Sequence, residues 1–395
     1  MTPAARIQTA IEILDRVIAG TSAEQALTQW ARTSRYAGSG DRAAVRDHVF
    51  DALRCLRSFA ALAGADRPGG RSCMIGRIVA AGEDPRQFFN GAPFAPAPLD
   101  AGEIAALERA QSSAAPDPRV ALDCPDWLEA PLRKALGPDF ATSLTAMRQR
   151  APVFLRVNLA KAGRAEAQAS LAADGIGTRP HPIVETALEV TENARRVAQS
   201  RAYLTGLVEL QDAAPQAAVS ALPLLEGMRV LDYCAGGGGK TLAMAARTPA
   251  HFVAHDAAPE RMRNLASRTA RAGVAVTEAR TTDLARLGPF DLVLTDVPCS
   301  GTGTWRRAPE AKWRLTPERL DTLRKAQRDI LQAAKDHVAP QGLLAYMTCA
   351  LLVEENRDQV DRFLSETPGW RLISDRLWLP GDDGDGFYSA LLTRE

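Results

Sequence analysis

Met228-Arg-Val-Leu-Asp-Tyr-Cys234-Ala-Gly-Gly-Gly-Gly-Lys240-Thr241 is the stretch on which the fold turns. A short apolar run breaks into four consecutive glycines, as a strand does when it gives way to a loop that lies against a ligand. In an open parallel sheet, ligands collect at the carboxyl ends of the strands. Cys234, Ala235, Gly236, Gly237, Gly238, Gly239 and Lys240 are therefore the first candidate cofactor-binding residues.

Outward from this loop, apolar runs alternate with helical patterns. Strands are expected near Met228–Tyr233, Phe252–His255, Val274–Thr277, Phe290–Thr295 and Leu343–Met347, with late ones near Trp370–Ser374 and Gly386–Thr393. Helical periodicity separates them, notably over Pro259–Arg271 and Pro317–Val338, which is the signature of a doubly wound α/β sheet. Two of these strands end in a thiol: Asp296-Val-Pro-Cys299 after one, Tyr346-Met-Thr-Cys349 after the other. Thiols beside a nucleotide loop point to covalent chemistry there.

Two common nucleotide-binding patterns fit the loop badly. A phosphate loop needs glycine where Cys234 stands, and the dinucleotide pattern starting at Gly236 needs glycine where Thr241 stands. Asp256 closes the second strand, placed to hold ribose hydroxyls, and Asp283 follows the third, placed to accept from an adenine amino group. An adenosine ligand without a polyphosphate fits best, so S-adenosylmethionine is expected ahead of ATP or NAD.

The totals are those of an ordinary globular protein: 395 residues, 46% hydrophobic, 24% charged, formal net charge +1. No signal peptide and no apolar stretch of the ~20 residues that span a bilayer is apparent. The six cysteines form no C-x-x-C pair, so neither a disulfide framework nor a metal site is expected, and a cytoplasmic location follows. The near-zero net charge confines nucleic-acid recognition to local patches. Residues 1–90 read as a helical bundle, 91–124 as a proline-rich linker region with a break over 112–118, 125–204 as a compact α+β module and 205–395 as the doubly wound domain. One basic run, Arg306, Arg307, Lys312 and Arg314 with Trp305 and Trp313 interleaved, has the composition of a single-stranded RNA contact.

The motifs resemble those of the Fmu/Sun-type RNA methyltransferases, RsmB-like branch, which make 5-methylcytosine. Cys234 to Thr241 is similar to the family's CAAPGGKT, with Gly236 and Gly237 in place of alanine and proline. Asp256 with Arg261 resembles the ribose and adenine contacts. Asp296 to Arg307 resembles DAPCSxTGxxRR, and Thr348-Cys349 with Glu354-Glu355-Asn356 resembles TCS followed by EEN. Leu155-Arg156-Val157-Asn158 matches RVN, and Gly206 with Gln211-Asp212 matches the G-x(4)-QD motif. The likeness runs from about Pro125 to the C-terminus. The first helices resemble a NusB-type RNA-binding domain.

The resemblance implies a Rossmann-like class I methyltransferase domain, preceded by an α+β RNA-binding module and an all-helical NusB-like domain. It implies RNA as partner, ribosomal (16S) first and transfer RNA as the alternative, with Arg156 and Asn158 as further RNA contacts and the protein acting as a monomer. A ribosome-assembly factor that binds RNA without catalysis is the non-enzymatic alternative.

Carbon 5 of cytosine is too poor a nucleophile to take a methyl group unaided. A thiolate added at carbon 6 makes it an enamine that can. The residues alone leave open which cysteine attacks. The resemblance implies Cys349, with Cys299 assisting release, Asp296 bonding the cytosine N3 and amino group, and Lys240 near Cys349.

Overall fold

The computed structural model describes residues 1–112, 117–381 and 383–394. The middle of the break expected over 112–118 lies outside them. The chain divides into two units, Met1–Arg150 with Trp305–Arg314, and Ala151–Thr304 with Leu315–Glu395.

The first unit is helical. Pro3–Ile18 buries Ile7, Ile11, Leu14 and Val17 on one stripe, as their spacing requires. Ser22 caps Ala23–Thr33, its Oγ accepting from the Gln25 N–H at 3.2 Å. Ser39–Arg54, Leu56–Leu62 and Gly70–Ala80 complete the core. The region expected as a linker contributes too: helix Ala101–Ser112 adds Leu107 to that core. The helices up to Met147 also count with this unit, although the sequence groups them with the α+β module.

The second unit holds two sheets. Strands β1 (Val153–Val157), β2 (Thr178–Pro180), β3 (Ala187–Val190) and β4 (Val208–Leu210) form an antiparallel sheet in the order β2-β3-β1-β4. Its last strand lies beyond the boundary expected at 204.

The larger sheet comprises β5 (Arg229–Asp232), β6 (His251–His255), β7 (Val276–Ala279), β8 (Phe290–Asp296), β9 (Val338–Thr348), β10 (Trp370–Trp378) and β11 (Phe387–Arg394). Their order is β10-β11-β9-β8-β5-β6-β7, with β11 antiparallel to both of its neighbours. The five central and edge strands from β9 to β7 run parallel. Val230, Leu231, Leu292, Val293, Leu294, Leu344 and Ala345 are all buried, since helices cover both faces. That is why these strands read as unbroken apolar runs. The order reverses beside β5, and the glycine loop leaves the sheet at that switch point.

Candidate active site

Gly238 takes φ +81°, and a Cβ there would collide with Leu265, so the turn out of β5 requires glycine. Helix Gly239–Ala245 follows, tied back to the strand by Thr241, whose hydroxyl donates to Asp232 Oδ2 at 2.6 Å. Burial pushes the Asp232 carboxyl up to about 7, against the pull of that hydroxyl. Cys234 has its thiol pushed far up, by burial first and then by Asp232, Asp296 and Asp256. It is a packing thiol in the loop, with no thiolate character.

Asp256, at the end of β6, is buried and accepts from the Gly236 N–H at 2.9 Å and the Ala258 N–H at 3.0 Å. Arg261 reaches the same carboxylate at 3.2 Å while over half its side chain is exposed. Asp283 lies in the turn Thr281–Asp283 after β7, accepting from the Arg280 N–H at 3.1 Å, with part of its carboxylate open to solvent.

The thiols stand together. Cys299 Sγ lies 3.2 Å from Cys349 Sγ, a sulfur hydrogen bond, both side chains half-buried. Their register follows from the sheet: β8 and β9 are parallel neighbours, Asp296 opposite Met347, and the Val297 N–H continues the ladder to the Met347 carbonyl at 3.0 Å. The contact splits the pair. The Cys299 S–H, donating to Cys349, holds the Cys349 thiol below its ordinary range, with Lys240 helping and burial opposing. The same hydrogen bond, then burial, pushes Cys299 well up. Lys240 Nζ sits 2.5 Å from Asp296 Oδ2 and 5.0 Å from the centre of the Phe387 ring.

Residues given no role by the sequence hold this arrangement. Glu355 is fully buried, accepting from the Ser300 N–H at 2.8 Å, from the Ser300 hydroxyl, and from Gln327 Nε2 at 2.9 Å. Burial raises its carboxyl despite those donors. The Thr348 hydroxyl donates to Asn356 Oδ1 at 2.6 Å, and Asn356 Nδ2 donates to the Ala350 carbonyl at 2.9 Å, clamping the chain around Cys349. The Gly303 N–H donates to the Cys349 carbonyl at 2.9 Å, and a Cβ on Gly303 would collide with the Gly386 carbonyl. The motif around Glu355 and Asn356 carried the signal, and only its partners were hidden.

Several expected RNA contacts are corrected. Arg156 is buried, donating to Gln211 Oε1 at 2.6 Å and to the Gly239 carbonyl at 2.7 Å, and burial lowers its guanidinium to about 10. Asn158 is buried too, with Nδ2 on the Gly206 and Ala272 carbonyls at 2.9 and 2.8 Å. Both brace the small sheet against the loops of the large one. In the basic run, Trp305, Arg306 and Lys312 are buried in the helical unit. Lys312 Nζ and Trp313 Nε1 donate to the Arg54 and Leu53 carbonyls at 3.0 and 2.7 Å, and Arg54 Nε donates to the Arg306 carbonyl at 2.7 Å. These groups satisfy the open end of helix Ser39–Arg54, where carbonyls lack partners and cations are favoured.

A Rossmann-like sheet with its glycine loop at the switch point and paired thiols on adjoining strand ends is the α/β methyltransferase fold. Residues 219–392 match the 16S rRNA methyltransferase RsmB/F family model, and residues 124–197 match the ferredoxin-like domain found in RsmF/B-like methyltransferases. The ribosomal RNA small subunit methyltransferase B of Vibrio cholerae is 37% identical over 284 residues, 69% of this chain and 65% of that protein. Its counterpart in Yersinia pseudotuberculosis is 33% identical, over 69% of this chain and 66% of that protein. The match thus spans just under two thirds of these relatives' length.

Among solved structures, PH0851 superposes with a TM-score of 0.73 at 21% identity, over 99% of both chains. NSun6 from Pyrococcus horikoshii, solved with SFG, gives 0.60 at 18%, over 68% of this chain and 98% of that one. These two establish the fold. The chain belongs to the RsmB/F methyltransferase family. The residues present fit that family's methyl donor, S-adenosylmethionine: a glycine loop that lets the backbone approach, and a buried carboxylate at the next strand end with lone pairs to spare. Among the described residues, no helix is long and apolar enough to cross a membrane.

Proposed function

We propose that this protein methylates carbon 5 of a cytosine in small-subunit ribosomal RNA, through a transient bond between Cys349 and carbon 6 of the base. The observation that carries the reading is the 3.2 Å contact between Cys299, three residues past the end of β8, and Cys349, one residue past the end of β9, beside the Lys240–Asp296 pair. S-adenosylmethionine, held by the glycine loop, Asp256 with Arg261, and Asp283 at the adenine end, supplies an electrophilic methyl group. Addition to the base, stabilisation of the developing charge and release of the sulfur fall to the protein's own residues.

Cys349, with its thiol held low, attacks carbon 6 as thiolate. Negative charge then develops on the pyrimidine at N3 and O2. Asp296 accepts from the exocyclic amino group, and the ammonium of Lys240 balances the new charge at close range. Carbon 5, now enamine-like, takes the methyl group. A water in the site takes the carbon 5 proton, the electron pair left behind re-forms the C5–C6 double bond, and the Cys349 sulfur leaves as thiolate. Cys299, protonated and touching the departing sulfur, assists that release. Arg307 and Arg314, the exposed members of the basic run, stand as RNA contacts in this proposal.

Incubation of wild type, Cys299→Ala and Cys349→Ala with unmethylated small-subunit rRNA and labelled donor tests it. Wild type labels cytosine, Cys349→Ala transfers nothing, and Cys299→Ala accumulates a protein–RNA adduct. Label found only in transfer RNA would overturn the substrate, and undiminished transfer by Cys349→Ala would overturn the mechanism.

A further inference from the structure

A cleft of about 650 Å³ opens between the small antiparallel sheet's loops and the end of β10, entirely within the second unit. Trp378 and Arg376 line one wall, the guanidinium 4.9 Å from the centre of the indole. Leu159 and Ile183 line the cleft as well and are 44% and 69% exposed, so it offers apolar surface beside the indole. The proposed chemistry uses none of these residues.

The cleft's position relative to the thiols follows from the sheet. β10 runs in the same direction as β9, so Trp378 closes β10 on the carboxyl edge that carries Cys349. One strand, β11, lies between them, which places the cleft roughly 10 Å along the edge from the thiols at about 4.8 Å per strand. The two places are connected through rings: Trp378 packs on Phe387 at 6.3 Å between centroids, and Phe387 lies under Lys240. A site that close, yet too far to hold the reacting base, suits the next part of the same polymer. The lining carries both signs of charge, with Glu185 and Asp383 as well as Arg376. That favours a neutral flat group over a run of phosphates, and an indole with a guanidinium is a stacking platform for any base.

We infer that this cleft is a subsite for the base of an unpaired RNA nucleotide flanking the target cytosine, stacked on Trp378 and Arg376. The inference rests on the RNA-methyltransferase reading and names how that site holds its substrate. The nucleotide enters with its base toward Ile183 and Leu159, and its backbone runs on to the thiols.

The test uses the full chain and a short RNA centred on the cytosine that wild type methylates in the small-subunit rRNA transcript. Abasic sites are placed singly through the flanking positions, and KM and kcat are measured for wild type, Trp378→Ala and Trp378→Phe. In wild type, one abasic position should raise KM about tenfold, the scale of one base–aromatic stack, with kcat little changed. Trp378→Ala should raise KM similarly on intact RNA and lose all sensitivity to that position, while Trp378→Phe restores it. Unchanged folding is checked by donor binding, which none of these variants should alter. Equal sensitivity to abasic sites in wild type and Trp378→Ala would overturn the subsite. A wild type that methylates no cytosine would instead bring down the reading of the function, and the subsite with it.

Discussion

Lys240 and Lys312 both sit against aromatic rings in the folded chain, and they meet different partners. Lys240 lies over Phe387 and reaches a carboxylate, Asp296, at 2.5 Å. Lys312 lies 4.6 Å from the Trp313 ring and 5.8 Å from that of Trp305, and reaches a backbone carbonyl, Arg54, at 3.0 Å. A carboxylate neutralises a buried cation, whereas carbonyl dipoles only solvate it, so burial lowers Lys312 to about 8. The first arrangement places an ion pair at a strand end beside two thiols. The second closes a helix. A lysine among aromatics thus has no fixed meaning until its partner is known.

The largest expected effect separates the two directly. Lys240→Met should slow single-turnover methyl transfer by about 10²–10³-fold, the scale of one charge-stabilising group, while leaving the melting temperature close to wild type. Lys312→Met should leave the rate alone. Equal rate losses in both would dissolve the distinction.

Thiol titration gives an intermediate effect. The rate of iodoacetamide labelling at Cys349, followed against pH by peptide mass, should have its midpoint below the ordinary thiol range of about 8.5. Cys299→Ala removes the donated hydrogen bond and Lys240→Met removes the nearby positive charge, so each moves the midpoint upward. Lys312→Met leaves it in place.

The smallest effect is one of stability. Folding depresses the Lys312 ammonium from its ordinary 10.5 to about 8. Between those values the unfolded chain binds a proton that the folded chain does not, so this group's contribution raises stability as pH rises. Lys312→Met abolishes that rise. The stability of wild type relative to the variant, from urea unfolding followed by tryptophan fluorescence, should climb by on the order of 3 kcal/mol across that window.

What the sequence disclosed follows the same division between local and distant partners. The glycine loop, Asp256, Asp296 and the two thiols all end strands, and strand ends are local features of periodicity and turn chemistry. The apolar pattern predicts a strand over Val274–Thr277, and β7 lies at Val276–Ala279, because an edge strand buried at only one end gives a weak alternation. Arg156 and Asn158 look like RNA contacts in the sequence because their partners, Gly239 and Ala272, are 83 and 114 residues away. Lys312 looks like one for the same reason, the carbonyl that it meets being 258 residues upstream. Basic and aromatic residues in a row have one composition whether they face RNA or the end of a helix. Glu355 stands in the Glu354-Glu355-Asn356 motif, but nothing local announces that Ser300 and Gln327 converge on it.

The central claim is that Cys349, and not its neighbour 3.2 Å away, bonds to the base. Substrate RNA carrying 5-fluorocytosine at the target cannot lose a proton from carbon 5, so the covalent intermediate persists and its peptide can be sequenced by mass spectrometry. The cross-link should lie on Cys349 in wild type and in Cys299→Ala. A cross-link on Cys299 would contradict the account.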